Sequence, residues 1–369
     1  MTDHATTTQR INLAECDDPR DVEHQAVALL ARGGIVGLGF ETEYHLVSSA
    51  LAPDAVAALR RLAGAADEVR ASILLKGLDE LADWVAPLSE PAARLARRLW
   101  PGPVILVFPN AAGQGVFDRL PEEVKPLIAP NDELALGCPA APMIQRVLRL
   151  CPAPLVAIPA PTLEATAGVD LVIESGPTSL GEPATVVRLG DGAWTIEREG
   201  AVDAATIKHM SGTIILFICT GNTCRSPMAE ALCKVLLARR LKCSIDELED
   251  RGYVVQSAGV AAHPGAPAAV HAVEVLRERG GSLESHRSRP ADIEMARRAD
   301  LLFAMTNDHL EALVDAAPEL HPRAHLLDPE GGDVLDPIGA DLPVYHQTAE
   351  LIENMLDRRL DQIGVPKND

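Results

Sequence analysis

Hydrophobic and polar positions alternate along the chain in two rhythms. DVEHQAVALLARGG has apolar residues at helical spacing and stops at Gly33-Gly34, and IVGLGF follows as a short apolar strand. The pairing recurs: PDAVAALRRLAG reads as a helix, ASILLKG as a strand, EPAARLARRLWPG as a helix closed by Pro101-Gly102, and PVILVF as a strand. Ala111 to Pro161 is rich in Pro, Ala and Gly and carries no assigned element; DLVIESG and PATVVRL are then β-like runs before WTIEREGAVD. These segments predict an α/β domain at 11–203, with helices packed on one mixed, twisted sheet, followed by a polar linker at 204–212.

A second series opens with TIILFIC as a strand and a helix from about Pro227 to Arg239. YVVQSAG and DLLFAM read as strands, and APAAVHAVEVLRERGG, IEMARRA and NDHLEALVDAAP as helices. AHLL and VYHQTAELIENMLDRRLDQI complete the alternation. Such a series predicts a doubly wound parallel sheet at 213–364, with ligands bound at the carboxyl ends of its strands. The two halves share no repeat.

Composition narrows the class. At 369 residues the chain exceeds one ordinary core. It has no apolar run of about 18 residues that could span a bilayer. MTDHATTTQRINLAECDD lacks the apolar centre of a secretory signal, so a cytoplasmic location is expected, with no membrane partner. Seven cysteines (Cys16, Cys138, Cys151, Cys219, Cys224, Cys233, Cys243) are too sparse for a disulfide framework and lack paired C-x2-C spacing for zinc. A net charge of −20 argues against general nucleic-acid binding, though not against a local basic pocket.

FICTGNTCRSPMAEAL, Phe217 to Leu232, holds the chemistry. A loop that opens into a helix N-terminus aims backbone N–H groups inward, and with the helix dipole these suit a phosphate-sized anion. Gly221 and Asn222 can take the backbone angles such a cradle needs. Cys219 at its centre can act as a thiolate nucleophile, Arg225 offers a planar fork for two oxygens, Ser226 can hydrogen-bond the sulfur, and Pro227 suits a helix start. The bland alternative is a buried strand-end cysteine with an arginine satisfying carbonyls; the strand before the loop and the helix after it weigh against this. An acid for the leaving group could be Asp336-Pro337 or Asp328-Pro329, and spacing alone does not choose.

CTGNTCRSPMAEAL, QSAGV, SHRSR, ADLLFAMTNDH and DPIG, in that order, resemble the low-molecular-weight phosphatase family. The resemblance implies Cys219 as nucleophile and Arg225 as phosphate binder. Thr220, Gly221, Asn222, Thr223, Cys224 and Ser226 complete the loop, with Asp336, through its DPIG context, as general acid. It implies a phosphoprotein substrate and neither cofactor nor metal. Thr223, where phosphotyrosine enzymes usually carry an aliphatic residue, and Ile338, where they carry a ring, make the chain look like the protein-arginine phosphatase branch. Phosphotyrosine is the alternative. Cys219 and Cys224 could form a reversible disulfide under peroxide. Arsenate reduction would need a further relay of cysteines, and none follows Cys243.

GGIVGLGFETEYHL, RLWPGPVILVF and GEPATVVRLGDGAWTIEREG resemble, more distantly, the threonylcarbamoyl-adenylate synthase (YrdC-like) family, which joins threonine, bicarbonate and ATP. Its P-T-E-T-V-Y-G-L reads GFETEYHL here, so Glu41, Thr42, Tyr44 and Leu46 match while Phe40, Glu43 and His45 do not. The basic K-x-R element is replaced by Asp67 and Glu68 with Arg70 nearby, S-A-N by IPAPT at 158–162, and S-T-V-V by ATVV from Ala184; WPGP at 100–103 survives. A non-catalytic or repurposed domain is expected, one that could hold a nucleotide, threonine or RNA-related ligand. An active synthase in tRNA modification is the alternative.

Overall fold

The computed structural model describes residues 8–62, 70–109, 115–160, 168–190 and 193–366. The chain divides into two compact units, Met1–Met210 and Ser211–Asp369.

In the first unit the strands are β1 (Gln9–Asn12), β2 (Val36–Gly39), β3 (Tyr44–Ser49), β4 (Ser72–Leu74), β5 (Val104–Pro109), β6 (Glu133–Gly137), β7 (Leu155–Pro159), β8 (Leu171–Glu174), β9 (Thr185–Leu189) and β10 (Trp194–Arg198). They form one mixed sheet in the order β1-β8-β2-β3-β7-β4-β6-β5-β9-β10. The helices are α1 (Pro19–Ala31), α2 (Pro53–Leu62), α3 (Glu90–Leu99), α4 (Lys125–Ile128), α5 (Pro142–Leu150) and α6 (Ala204–Ser211). Side chains alternate across a strand, and β8 shows the consequence: Val172 joins the core beneath α2 and α3, while Leu171 and Ile173 join the core beneath α1 and α5. Both faces are therefore covered.

Two expectations differ from this. Residues 111–161 contain β6, α5 and β7; the apolar runs of the two strands are buried on both faces and so show no alternation to read, and α5 opens with proline among small residues. Residues 204–212, read as a polar linker, are mostly helical: α6 buries Ile207 completely in the first unit's core, Met210 packs against the same core, and Arg98 donates to the Met210 carbonyl.

The second unit is a four-stranded parallel sheet in the order β12-β11-β13-β14, made of β11 (Thr213–Cys219), β12 (Tyr253–Gly259), β13 (Leu301–Ala304) and β14 (Ala324–Leu326). Its helices are α7 (Arg225–Leu241), α8 (Val270–Glu278), α9 (Ile293–Arg298), α10 (Asn307–Ala316) and α11 (Leu342–Gln362). Along β11, Ile215, Phe217 and Cys219 face the core shared with α7, α8 and α11, and Ile214, Leu216 and Ile218 face that of α9 and α10. This is the expected doubly wound arrangement, and it delivers Cys219 to the carboxyl end of a central strand, on the face of α7. No helix among the described residues is long and apolar enough to cross a membrane.

Candidate active site

The loop from Cys219 to Cys224 joins the end of β11 to the start of α7. Cys219 is 3% exposed. Its Sγ lies 3.0 Å from Ser226 Oγ and receives the Asn222 backbone N–H at 3.3 Å. The Ser226 hydroxyl has one proton and two acceptors in reach, the sulfur and, at 3.3 Å, the Ala258 carbonyl. Asn222 carries the strain of the turn with φ of +53°, in the left-handed region that asparagine tolerates better than most residues. Gly221 does not share that role: it is outside the left-handed region, and a Cβ there would meet only Thr223 Oγ1 at 3.6 Å. The glycine the loop requires is Gly259 at the end of β12, where a Cβ would sit 2.4 Å from the Thr220 carbonyl oxygen.

A buried polar network fixes Asn222. Its Nδ2 donates to Ser226 Oγ at 3.0 Å and Ser257 Oγ at 2.9 Å, and its Oδ1 accepts from the Arg289 backbone N–H at 3.0 Å. His286 Nε2 donates to the Asn222 carbonyl at 2.8 Å, and Ser257 donates to Glu230 at 2.7 Å. With its partners paired in this way, the network rigidifies the loop.

Arg225 is buried at the first position of α7. Its Nη1 donates to the Val334 carbonyl at 3.1 Å, and its Nη2 to Asp336 Oδ2 at 2.6 Å. Asp336 Oδ1 accepts the Ile338 N–H at 3.2 Å, and Ile338 itself is 67% exposed at the rim. The structure thus brings Cys219, Ser226, Arg225 and Asp336 together. Asp328 is elsewhere engaged, accepting the Glu330 and Gly332 N–H groups of its own turn at 3.0 and 3.1 Å. Thr223 is half-buried, its Oγ1 3.7 Å from Cys224 Sγ, and the Cys224 thiol lies 3.4 Å from Tyr345 Oη. Burial and the Cys224 contact push the Tyr345 phenol above its ordinary range. Cys219 and Cys224 are both free thiols.

Residues 214–367 match the family model described as low molecular weight phosphotyrosine protein phosphatase. A protein-arginine-phosphatase of Bacillus subtilis (strain 168) is 40% identical over 40% of this chain and 95% of its own length. The chain belongs to the low molecular weight phosphatase family. The tyrosine phosphatase Etp of Escherichia coli (strain K12) is 34% identical over 38% of this chain and 86% of its own.

Within this phosphatase unit, reading for nucleophile, clamp and acid missed the groups that hold the loop: Ser257, His286, Arg289, Glu230, Tyr345 and His309. Several sit inside quoted runs (QSAGV, SHRSR, TNDH), yet their distance along the chain hides that they converge on Asn222 and Thr220.

In the first unit, the altered opening motif closes on itself. The Phe40 and His45 rings stack with centroids 4.1 Å apart, and His45 Nδ1 lies 3.1 Å from the Glu43 carbonyl. Burial pushes the His45 imidazole down to about 4. The Glu41 carboxylate is taken by the Ala140 and Ala141 N–H groups at 2.9 and 3.0 Å. Arg70 pairs with Glu133 and Glu197 at 3.1 and 2.8 Å. The cavity lined by Phe40, Glu41, His45, Gly102, Pro103 and Ala184 measures about 20 Å³. Asp67, Glu68, Pro161 and Thr162 lie outside the described residues. Residues 28–200 match the Sua5, YciO and YrdC family model, described as telomere recombination. A threonylcarbamoyl-AMP synthase of Bacillus subtilis (strain 168) is 26% identical over 52% of this chain, which spans 56% of that protein's length.

Proposed function

We propose that the second unit hydrolyses phosphoarginine in proteins through a phosphorylated Cys219. The observation that carries this reading is one constellation: a sulfur faced by the Asn222 N–H and the Ser226 hydroxyl at a helix N-terminus, with Arg225 and Asp336 paired beside it. The sulfur attacks phosphorus, the P–N bond breaks, and Asp336 gives its proton to the departing guanidine nitrogen. Water then attacks the cysteinyl phosphate, Asp336 takes a proton from it, and the S–P bond breaks with the electron pair returning to sulfur. Arg225 binds the equatorial oxygens throughout, so phosphate has to displace Asp336 from Arg225, which leaves the carboxyl facing the leaving group.

The placement of the unit's phenyl and phenol rings favours arginine over tyrosine. The aromatic residues of this unit are Phe217, Phe303, Tyr253 and Tyr345. Phe217, Phe303 and Tyr345 are buried, and Tyr253 stands at the amino end of β12, opposite Thr213 and away from the loop. The rim offers the exposed aliphatics Leu335 and Ile338 instead, which cannot supply the roughly 0.5–1.5 kcal/mol of ring stacking. Thr223, with its hydroxyl in the loop, suits a polar leaving group, and the 40% identical relative acts on phosphoarginine by its name. Kinetics on matched phosphoarginine and phosphotyrosine proteins test the reading. The unaltered enzyme should favour phosphoarginine in kcat/KM, and Thr223→Ile should move the ratio toward phosphotyrosine by at least about ten-fold. Faster cleavage of phosphotyrosine by the unaltered enzyme would overturn it.

For the first unit we propose a non-catalytic role. A cavity of about 20 Å³ has room for about one water molecule, and Glu41 is committed to backbone N–H groups. Incubation with ATP, threonine and bicarbonate should release no pyrophosphate above background; release at an enzymatic rate would restore the synthase reading.

A further inference from the structure

Thr306 occupies the position before α10, where a threonine hydroxyl ordinarily caps the first-turn N–H groups. Here it makes no such bond. Its Oγ1 lies instead 2.7 Å from His309 Nδ1, and Asp333 takes the Asn307 N–H at 2.8 Å. The other face of the same imidazole, Nε2, lies 2.8 Å from Thr220 Oγ1 in the phosphate loop. Arg225 Nη2 donates to that same Thr220 oxygen at 3.5 Å, a long bond. His309 is only 5% exposed. A helix cap has thus been given up to complete a hydrogen-bonded chain from Thr306 through His309 and Thr220 to Arg225.

Arg225 can only donate, so the Thr220 oxygen accepts from it. In the direction proposed here, the Thr220 proton goes to His309 Nε2 and His309 Nδ1–H donates to Thr306. We propose that His309 is a positioning residue of the phosphatase site, a neutral imidazole that takes the Thr220 proton and so turns the Thr220 oxygen toward Arg225. Arg225 is thereby held from the loop side by Thr220 and from the acid-loop side by the Val334 carbonyl. The inference rests on the assignment of Cys219 and Arg225 above.

The charged groups facing His309 are Arg225 on α7, Asp308 on its own helix, and Asp333 and Asp336 in the loop before α11. Burial first, and then Arg225, hold the imidazole below the ordinary histidine range, against the opposing pull of the three carboxylates. The ring is therefore neutral at neutral pH and gains a proton only on the acid side of an ordinary histidine. That proton removes the acceptor for Thr220 and sets a second cation beside Arg225.

The test uses the full chain and para-nitrophenyl phosphate, whose hydrolysis does not depend on the choice between arginine and tyrosine. His309→Ala and Thr220→Val should each lower kcat/KM about ten-fold, as for one lost hydrogen bond, and the double variant should be little worse than either alone. His309→Gln, whose Oε1 can accept from Thr220, should recover most of the activity while removing one ionisation from the acid side of the pH profile. Additive losses, a Gln variant as poor as Ala, or an unchanged acid side in His309→Gln would each overturn the proposal. Thermal unfolding of His309→Gln should match the unaltered protein, so that a loss of fold is not mistaken for loss of positioning. Turnover by Cys219→Ser would instead overturn the underlying site assignment. An inactive Cys219→Ser with an unaffected His309 series overturns this inference alone.

Discussion

At the scale of single residues, the pairing of Arg225 with Asp336 makes a counterintuitive prediction. In the proposed reaction, the carboxylate 2.6 Å from the guanidinium competes with phosphate for Arg225. Asp336→Asn should therefore bind inorganic phosphate more tightly, read as a lower inhibition constant. It should also slow turnover about 10²- to 10⁴-fold through loss of the acid. Weaker phosphate inhibition in that variant would show that the ion pair does not compete with substrate. Gly259 is the second sensitive position: a Cβ 2.4 Å from the Thr220 carbonyl forces the loop to shift. Gly259→Ala should cost roughly 1–3 kcal/mol in denaturant unfolding and most of the activity. The pair Cys219 and Cys224 supports a third proposal, in which peroxide takes two electrons and two protons from the thiols to form a disulfide. Mass spectrometry of oxidised protein should find that linkage, and its absence after inactivation would remove the redox role.

At the scale of elements, strands and helices with a clear period were legible: β11, α7, β12 and α10 lie where TIILFIC, the run from Pro227, YVVQSAG and NDHLEALVDAAP placed them. β6 and β7 were not, because ELALG and LVAIP are covered on both faces and α5 begins with proline among small residues. The candidate site was legible where it is contiguous, from Cys219 to Ser226, and at Asp336 through its DPIG context. His309, Ser257 and His286 reach it only because a parallel sheet gathers the ends of its strands at one edge. β3 carries a pH-dependent element of its own. His45 is neutral in the fold, with a value near 4 against an ordinary 6.5, so below 6.5 the unfolded chain binds the extra proton. Its contribution is intact above pH 6.5 and is lost progressively as pH falls toward 4, on the order of 3 kcal/mol in all. His45→Gln should flatten the decline in Tm of the first unit across that window. An equal decline in both proteins would place the acid sensitivity elsewhere.

At the scale of the molecule, the chain joins two α/β units that match different family models, one with a small pocket beside its opening motif and one with the loop proposed to bind phosphate. A net charge of −20 suits recognition of one phosphorylated side chain, at the proposed Arg225 site, better than recognition of a polyanion. The central claim is that phosphate passes through Cys219. It is tested most directly by rapid acid quenching of the full chain with a phosphoarginine protein, followed by peptide mapping. Phosphate should appear on the sulfur of Cys219, accumulate further in Asp336→Asn supplied with para-nitrophenyl phosphate, and be missing in Cys219→Ser along with all turnover. Steady phosphate release by Cys219→Ser, with no phosphorylated peptide at any time, would contradict the account.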